Sequence, residues 1–112
     1  FYEDNLCKYD LILPKKIEQA EHVWHLFVIR VDERDKFSSF LGQKGITTLI
    51  HYPVPPHKQK CYANKNMRKF PLTEKICSEI VSLPIYPGMP MEHQEEVVLN
   101  IKKYFSKKYK NK

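Results

Sequence analysis

Gly45-Ile46-Thr47-Thr48-Leu49-Ile50-His51-Tyr52-Pro53-Val54-Pro55-Pro56-His57 reads as a strand that runs into a braced loop. Thr47, Thr48 and Ile50 are β-branched and favour a pleated backbone. Pro53, Pro55 and Pro56 each fix φ and remove a backbone donor, so neither strand nor helix continues through them. The pattern sets His51 and Tyr52 at the exposed end of a strand, with His57 closing the loop. Polar side chains on a scaffold, beside a loop with little entropy left to lose, are how binding sites are commonly built. The plainer alternative is a strand edge stopped by proline, whose histidine is satisfied by its neighbours.

Upstream, Val23-Trp24-His25-Leu26-Phe27-Val28-Ile29-Arg30-Val31 is the strongest strand signal, rich in aromatic and β-branched residues. Its near-continuous apolar character predicts a central strand covered on both faces. His22 and His25 are separated by an odd number of positions, so on a strand they point to opposite faces and cannot share one metal. Leu11-Ile12-Leu13-Pro14 predicts a short strand stopped by proline, with a charged connector over 15–21. Asp35 is the expected N-cap of a helix whose stripe is Phe37, Phe40 and Leu41, with Gly45 as its C′ stop. Gly42 inside that helix costs about 1 kcal/mol relative to alanine.

Downstream, residues 57–69 are polar and basic, with a short helical turn expected at Cys61-Tyr62-Ala63. Pro71 suits the first position of a helix. Leu72, Ile76, Ile80 and Leu83 recur at helical spacing, which predicts a helix running to Ser82-Leu83-Pro84. Ile85-Tyr86-Pro87-Gly88 then reads as a short strand or extended turn. Pro90 is expected at N1 of a last helix with the stripe Val97, Val98, Ile101, Tyr104 and Phe105. This order predicts an α+β fold, a small sheet of about three strands with helices packed mainly on one face.

A chain of 112 residues makes one small domain with a real core. Its 42% hydrophobic and 29% charged residues are ordinary for a globular protein. The net charge of +6 is accounted for by Lys102, Lys103, Lys107, Lys108, Lys110 and Lys112, in a segment without acids. Lysines there complement a helix dipole and keep the tail solvated. No aromatic RNA-binding platform or zinc finger accompanies them, so no nucleic-acid partner is expected. The longest apolar stretch, around 23–31, is broken by His25 and Arg30, so no membrane span is expected either. Cys7, Cys61 and Cys77 lack any Cys-x-x-Cys spacing, which argues against a disulfide framework or a metal site and for a cytoplasmic location. Cys77 beside Ile76 and Ile80 is expected to act as a small hydrophobe. The chain opens with Phe1 rather than Met and with no signal peptide, so it is expected to be cut from something longer.

The order of the pieces resembles a known family. The run from His22 to Arg30, Arg34-Asp35-Lys36, Lys44-Gly45-Ile46, the run from Ile50 to His57, and Ser82-Leu83-Pro84-Ile85-Tyr86-Pro87-Gly88-Met89 follow one another as in the C-terminal domain of DegT/StrS-type sugar aminotransferases. The resemblance covers about Leu11 to Phe105 and implies an aminotransferase C-terminal small domain over 1–105, with a lysine-rich tail over 106–112. It departs from the family at Pro90, where a threonine N-cap is frequent, and in the tail itself.

The resemblance implies a fold type I architecture whose full-length form depends on pyridoxal phosphate. It implies transfer of an amino group, with glutamate the usual donor, to a keto group on a nucleotide-linked sugar. The products would serve lipopolysaccharide, capsule or related glycans, and the active site would lie at a homodimer interface. The Schiff-base lysine and the carboxylate that pairs with the pyridinium nitrogen belong to the family's N-terminal domain. This chain is therefore expected to contain no catalytic and no cofactor-binding residue, and to be inactive alone. His51, Tyr52 and His57 are its expected substrate-binding residues, with Lys58 and Lys60 near enough in sequence to meet a diphosphate. The alternative from another class is a freestanding basic module that contacts nucleic acid or an anionic surface through the lysine tail and the 57–69 loop.

Overall fold

The computed structural model describes residues 1–62 and 68–110, with Lys110 described by its backbone alone. Its elements are α1 (Tyr2–Leu6), β1 (Phe27–Arg30), α2 (Arg34–Gly42), two 3-10 turns (Pro56–Lys58 and Lys60–Tyr62), α3 (Pro71–Glu79), β2 (Ile80–Leu83) and α4 (Met91–Lys110). Strands β1 and β2 pair antiparallel, Phe27 opposite Leu83 and Arg30 opposite Ile80. Single bridges extend the sheet on both sides, Ile12 to Arg30 and Leu49 to Ser82. The α+β expectation holds, and each predicted outer strand contributes one bridge instead of a ladder.

One face of the sheet makes the core. Phe27 and Ile29 of β1 alternate with Val81 and Leu83 of β2 toward a single apolar cluster. Tyr2 and Leu6 of α1, Phe37 and Leu41 of α2, Val97, Val98, Ile101 and Phe105 of α4, and Val31 and Ile46 beside these elements complete it. The α4 stripe therefore buries as its spacing predicts, with Tyr104 half-buried beside Phe37 and Phe40. Each such fully buried apolar side chain contributes roughly 1.5–3 kcal/mol. Tyr2 spans from α1 to the end of β2, its hydroxyl donating to the Pro84 carbonyl at 2.9 Å. Burial pushes that phenol up to about 12, with Tyr86 adding to the effect, so it stays a donor.

Helix α2 ends in a Schellman arrangement. The Ile46 N–H donates to the Leu41 carbonyl and the Gly45 N–H to the Gly42 carbonyl, both at 3.0 Å. Gly45 has a φ of 77°, the left-handed value that this stop requires. Buried Ile46 and Leu41 supply the apolar contact that accompanies the motif.

Several local expectations are corrected. The helix expected over 71–83 stops at Glu79, and Ile80–Leu83 is strand β2. Pairing with β1 takes over there, since a short apolar run satisfies either period. None of α3 is buried, and Leu72 is 69% exposed. The strand expected over 23–31 starts only at Phe27, because Trp24 takes a φ of 48° and breaks the extended chain. The parity argument for His22 and His25 thus lapses; His22 Nδ1 accepts from the Trp24 N–H at 2.9 Å and its ring stacks on the indole. Glu33, not Asp35, is the N-cap of α2, and Asp35 lies in its first turn beside Arg34. Pro71 does open α3 at N1, whereas Pro90 falls one residue before α4. The turn expected around 61–63 is the 3-10 turn Lys60–Tyr62, and Ala63 lies outside the described residues.

Residues 106–110 form the last turns of α4. Lys108 pairs with Asp10 at 3.8 Å, and Lys107 sits over the Phe40 ring. Lys112 lies outside the described residues.

Candidate functional site

The segment between α2 and the first 3-10 turn is tied to β2 at one residue. The Ser82 N–H donates to the Leu49 carbonyl at 2.7 Å, and the Leu49 N–H donates back at 3.3 Å. Two residues on, His51 turns its ring onto the same serine, with Nδ1 at 2.9 Å from Ser82 Oγ. Ser82 is buried and His51 half-buried, so this polar contact is largely withdrawn from water. Tyr52, joined to His51 through a cis peptide, is 72% exposed, its ring edge-on to the imidazole.

His57 lies at the other end of the proline segment, and its side chain is only 9% exposed. Its Nε2 is 3.1 Å from Glu74 Oε1, and Lys58 Nζ is 2.5 Å from Glu74 Oε2. The Phe70 N–H, at the start of α3, also reaches Glu74 Oε1 at 3.4 Å. Phe70 packs its ring against the His57 imidazole. Lys58, then His57, hold the Glu74 carboxyl down at about 2, so it is ionised across the physiological range. One carboxylate thus clamps the 3-10 turn to the first turn of α3, where the helix dipole also favours a negative charge.

The structure brings His51 to β2 and His57 to α3, and leaves Tyr52 free of the core. Lys58, expected toward a diphosphate, is committed to Glu74, and Lys60 stands exposed on the next 3-10 turn. Glu74 and Ser82 are the partners that sequence reading missed. Glu74 had a signal, an acid in the first turn of a helix opened by Pro71. Ser82 had none while 80–83 read as helix. An aromatic cleft of about 370 Å³, with Tyr2, Trp24, Phe27, Tyr86 and Met89 among its walls, lies elsewhere and includes none of the three expected residues.

No described lysine is buried. A Schiff-base lysine needs a desolvated pocket to hold its amine neutral. Within this chain alone, the described residues hold no lysine buried in such a pocket. Among them there is no cluster of histidine, cysteine or carboxylate side chains that could hold a metal. No helix among them is long and apolar enough to cross a membrane.

Residues 1–102 match the model of the DegT/DnrJ/EryC1/StrS aminotransferase family. The chain belongs to that family. It is 46% identical over 104 residues to the dTDP-3-amino-3,6-dideoxy-alpha-D-galactopyranose transaminase of Aneurinibacillus thermoaerophilus, covering 93% of this chain and 29% of the relative. It is 35% identical over 95 residues to the 3-oxo-glucose-6-phosphate:glutamate aminotransferase of Bacillus subtilis, covering 77% of this chain and 20% of the relative.

Among solved structures it resembles S. venezuelae DesV in complex with a ketimine intermediate, with a TM-score of 0.84 and 31% identity over 92% of this chain and 29% of that one. NtdA of Bacillus subtilis with bound cofactor PMP gives a TM-score of 0.80 and 29% identity over 94% of this chain and 26% of that one. The family member described here thus spans less than a third of the length of these relatives.

Proposed function

We propose that this chain is the C-terminal, substrate-side domain of a pyridoxal-phosphate-dependent aminotransferase that acts on a nucleotide-linked keto-sugar. Residues 1–105 form the small domain and 106–112 a lysine-rich extension. The carrying observation is 46% identity, over 93% of the chain, to a transaminase named for a dTDP-linked amino sugar. A relative named for glutamate supports glutamate as the amino donor. In this reading the full-length enzyme is a cytoplasmic homodimer that makes amino sugars for lipopolysaccharide, capsule or related glycans, and the isolated chain is inactive.

The cofactor, held by the rest of the enzyme, supplies the electron sink for amino transfer. This chain supplies recognition. His51 faces the sugar nucleotide with the nitrogen that Ser82 leaves open, and Tyr52 offers an exposed ring and hydroxyl. His57 borders the same ligand with Nδ1, its Nε2 being held by Glu74. Uncovered apolar side chains at Leu49, Tyr52, Val54 and Leu72 fit a surface that meets further protein. The basic-module reading is weaker, because Lys107 and Lys108 of the lysine stretch are spent within the fold.

Two measurements test the reading. The reading frame upstream of Phe1 should encode a cofactor domain with a Schiff-base lysine; an initiator Met directly before Phe1 would end the proposal. In the full-length enzyme, His51→Ala should lower kcat/KM for the sugar nucleotide about tenfold while leaving the cofactor's absorption spectrum unchanged. Unchanged kinetics would return His51 to the role of a satisfied strand edge.

A further inference from the structure

We infer that Ser82 is a positioning residue that fixes the tautomer of His51, so that the imidazole presents an Nε2–H donor to an acceptor oxygen of the ligand. The inference rests on the functional reading of His51 above and adds the polarity of the contact.

Ser82 lies on β2 with its backbone N–H and carbonyl both bonded to Leu49. It is 4% exposed, and its hydroxyl meets one described partner, His51 Nδ1 at 2.9 Å. A serine hydroxyl carries one proton that needs an acceptor. If Nδ1 carried the imidazole proton, it would donate to Oγ and leave the hydroxyl proton buried without an acceptor, an arrangement that is costly. If Nδ1 is the bare nitrogen, Ser82 donates to it and the pair is satisfied. Neutral His51 then carries its proton on Nε2.

Nε2 has no hydrogen-bond partner within the described residues, and the one buried side-chain polar atom left without a partner there is Ser38 Oγ. Nε2 is therefore open to water or to a ligand. A donor at that position selects an oxygen with a free lone pair: a phosphate oxygen, a sugar carbonyl, or a hydroxyl acting as acceptor. It disfavours a ligand group that can only donate. The flanking order explains why the geometry is stable. Leu49 is locked to Ser82 through the backbone, and His51, two residues later, returns to the same residue through its side chain. A single residue of β2 thus sets both the path of the segment and the face that the ring shows.

The test uses the full-length enzyme with His51→Ala, Ser82→Ala, Ser82→Thr and the double variant His51→Ala/Ser82→Ala. Ser82→Ala should lower kcat/KM for the sugar nucleotide several-fold, toward the roughly tenfold loss of His51→Ala, and leave the half-reaction with the amino donor unchanged. In the His51→Ala background it should add nothing, since a residue acting through His51 has nothing left to act on. Ser82→Thr, which keeps the hydroxyl on a strand-compatible side chain, should restore most of the activity. ¹⁵N spectra of the imidazoles should show His51 as the Nε2–H tautomer in the parent and as a mixture in Ser82→Ala.

Losses that multiply in the double variant, or an Nδ1–H tautomer in the parent, would overturn the inference and leave the reading of His51 standing. A fully active His51→Ala enzyme would overturn both.

Discussion

The two faces of the small sheet are built to different rules. Phe27, Ile29, Val81 and Leu83 on one face are apolar and fully buried against α1, α2 and α4. Val28, Arg30, Ile80 and Ser82 on the other face are mixed, and each polar group there has a specific partner. Arg30 places Nε and Nη2 on Glu79 Oε2 at 2.9 and 2.6 Å, and Ser82 meets His51. Stability comes from the first face, since burial is non-directional and adds with area. The second face gains little net energy from its pairs, because each exchanges bonds to water for bonds within the protein. What it gains is orientation, and His51 hangs from it through Ser82.

The contrast can be broken at several depths. Ile29→Ala on the buried face should cost about 3 kcal/mol by denaturant unfolding, and Val28→Ala on the next residue less than about 1 kcal/mol. Equal losses at the two positions would mean that the faces are not distinct. Glu79→Ala should cost about 1–2 kcal/mol, between an exposed and a buried pair, because it leaves the half-covered Arg30 guanidinium unpaired. A change below a few tenths would make that pair ornamental.

The smallest effect is local. Glu74 has a folded value near 2 against an ordinary 4.5, so its contribution is complete above the ordinary value and is lost as pH falls through the folded one. The chemical shift of the Phe70 amide should therefore titrate with a midpoint near 2 and stay flat through the ordinary carboxylate range. A midpoint at the ordinary value would show the clamp to be open in solution.

Residues whose role is written in local chemistry were legible. Gly45 stops α2 because a left-handed residue is needed there, and Pro71 opens α3 because its missing N–H goes unused at that position. The α4 stripe repeats long enough for its period to be unambiguous. His51, Tyr52 and His57 stood out because prolines brace the loop between them. Glu74 and Ser82 did not, since their partners lie 17 and 31 positions away and no local pattern encodes such a pairing.

By itself, then, the sequence determined the α+β class, the family, the glycine stop of α2, the proline start of α3, and the buried stripe of α4. The family rests on the resemblance of its ordered motifs, and the rest on backbone stereochemistry and hydrophobic period, which act within a few residues of chain. Only the tertiary structure decided that Ile80–Leu83 is strand and not helix, that Val23–Leu26 leaves the sheet, and which nitrogen of His51 and of His57 is already engaged. A run of four residues fits either period, so the choice falls to the strand it meets. A hydrogen bond between distant residues exists only once the core has placed both ends.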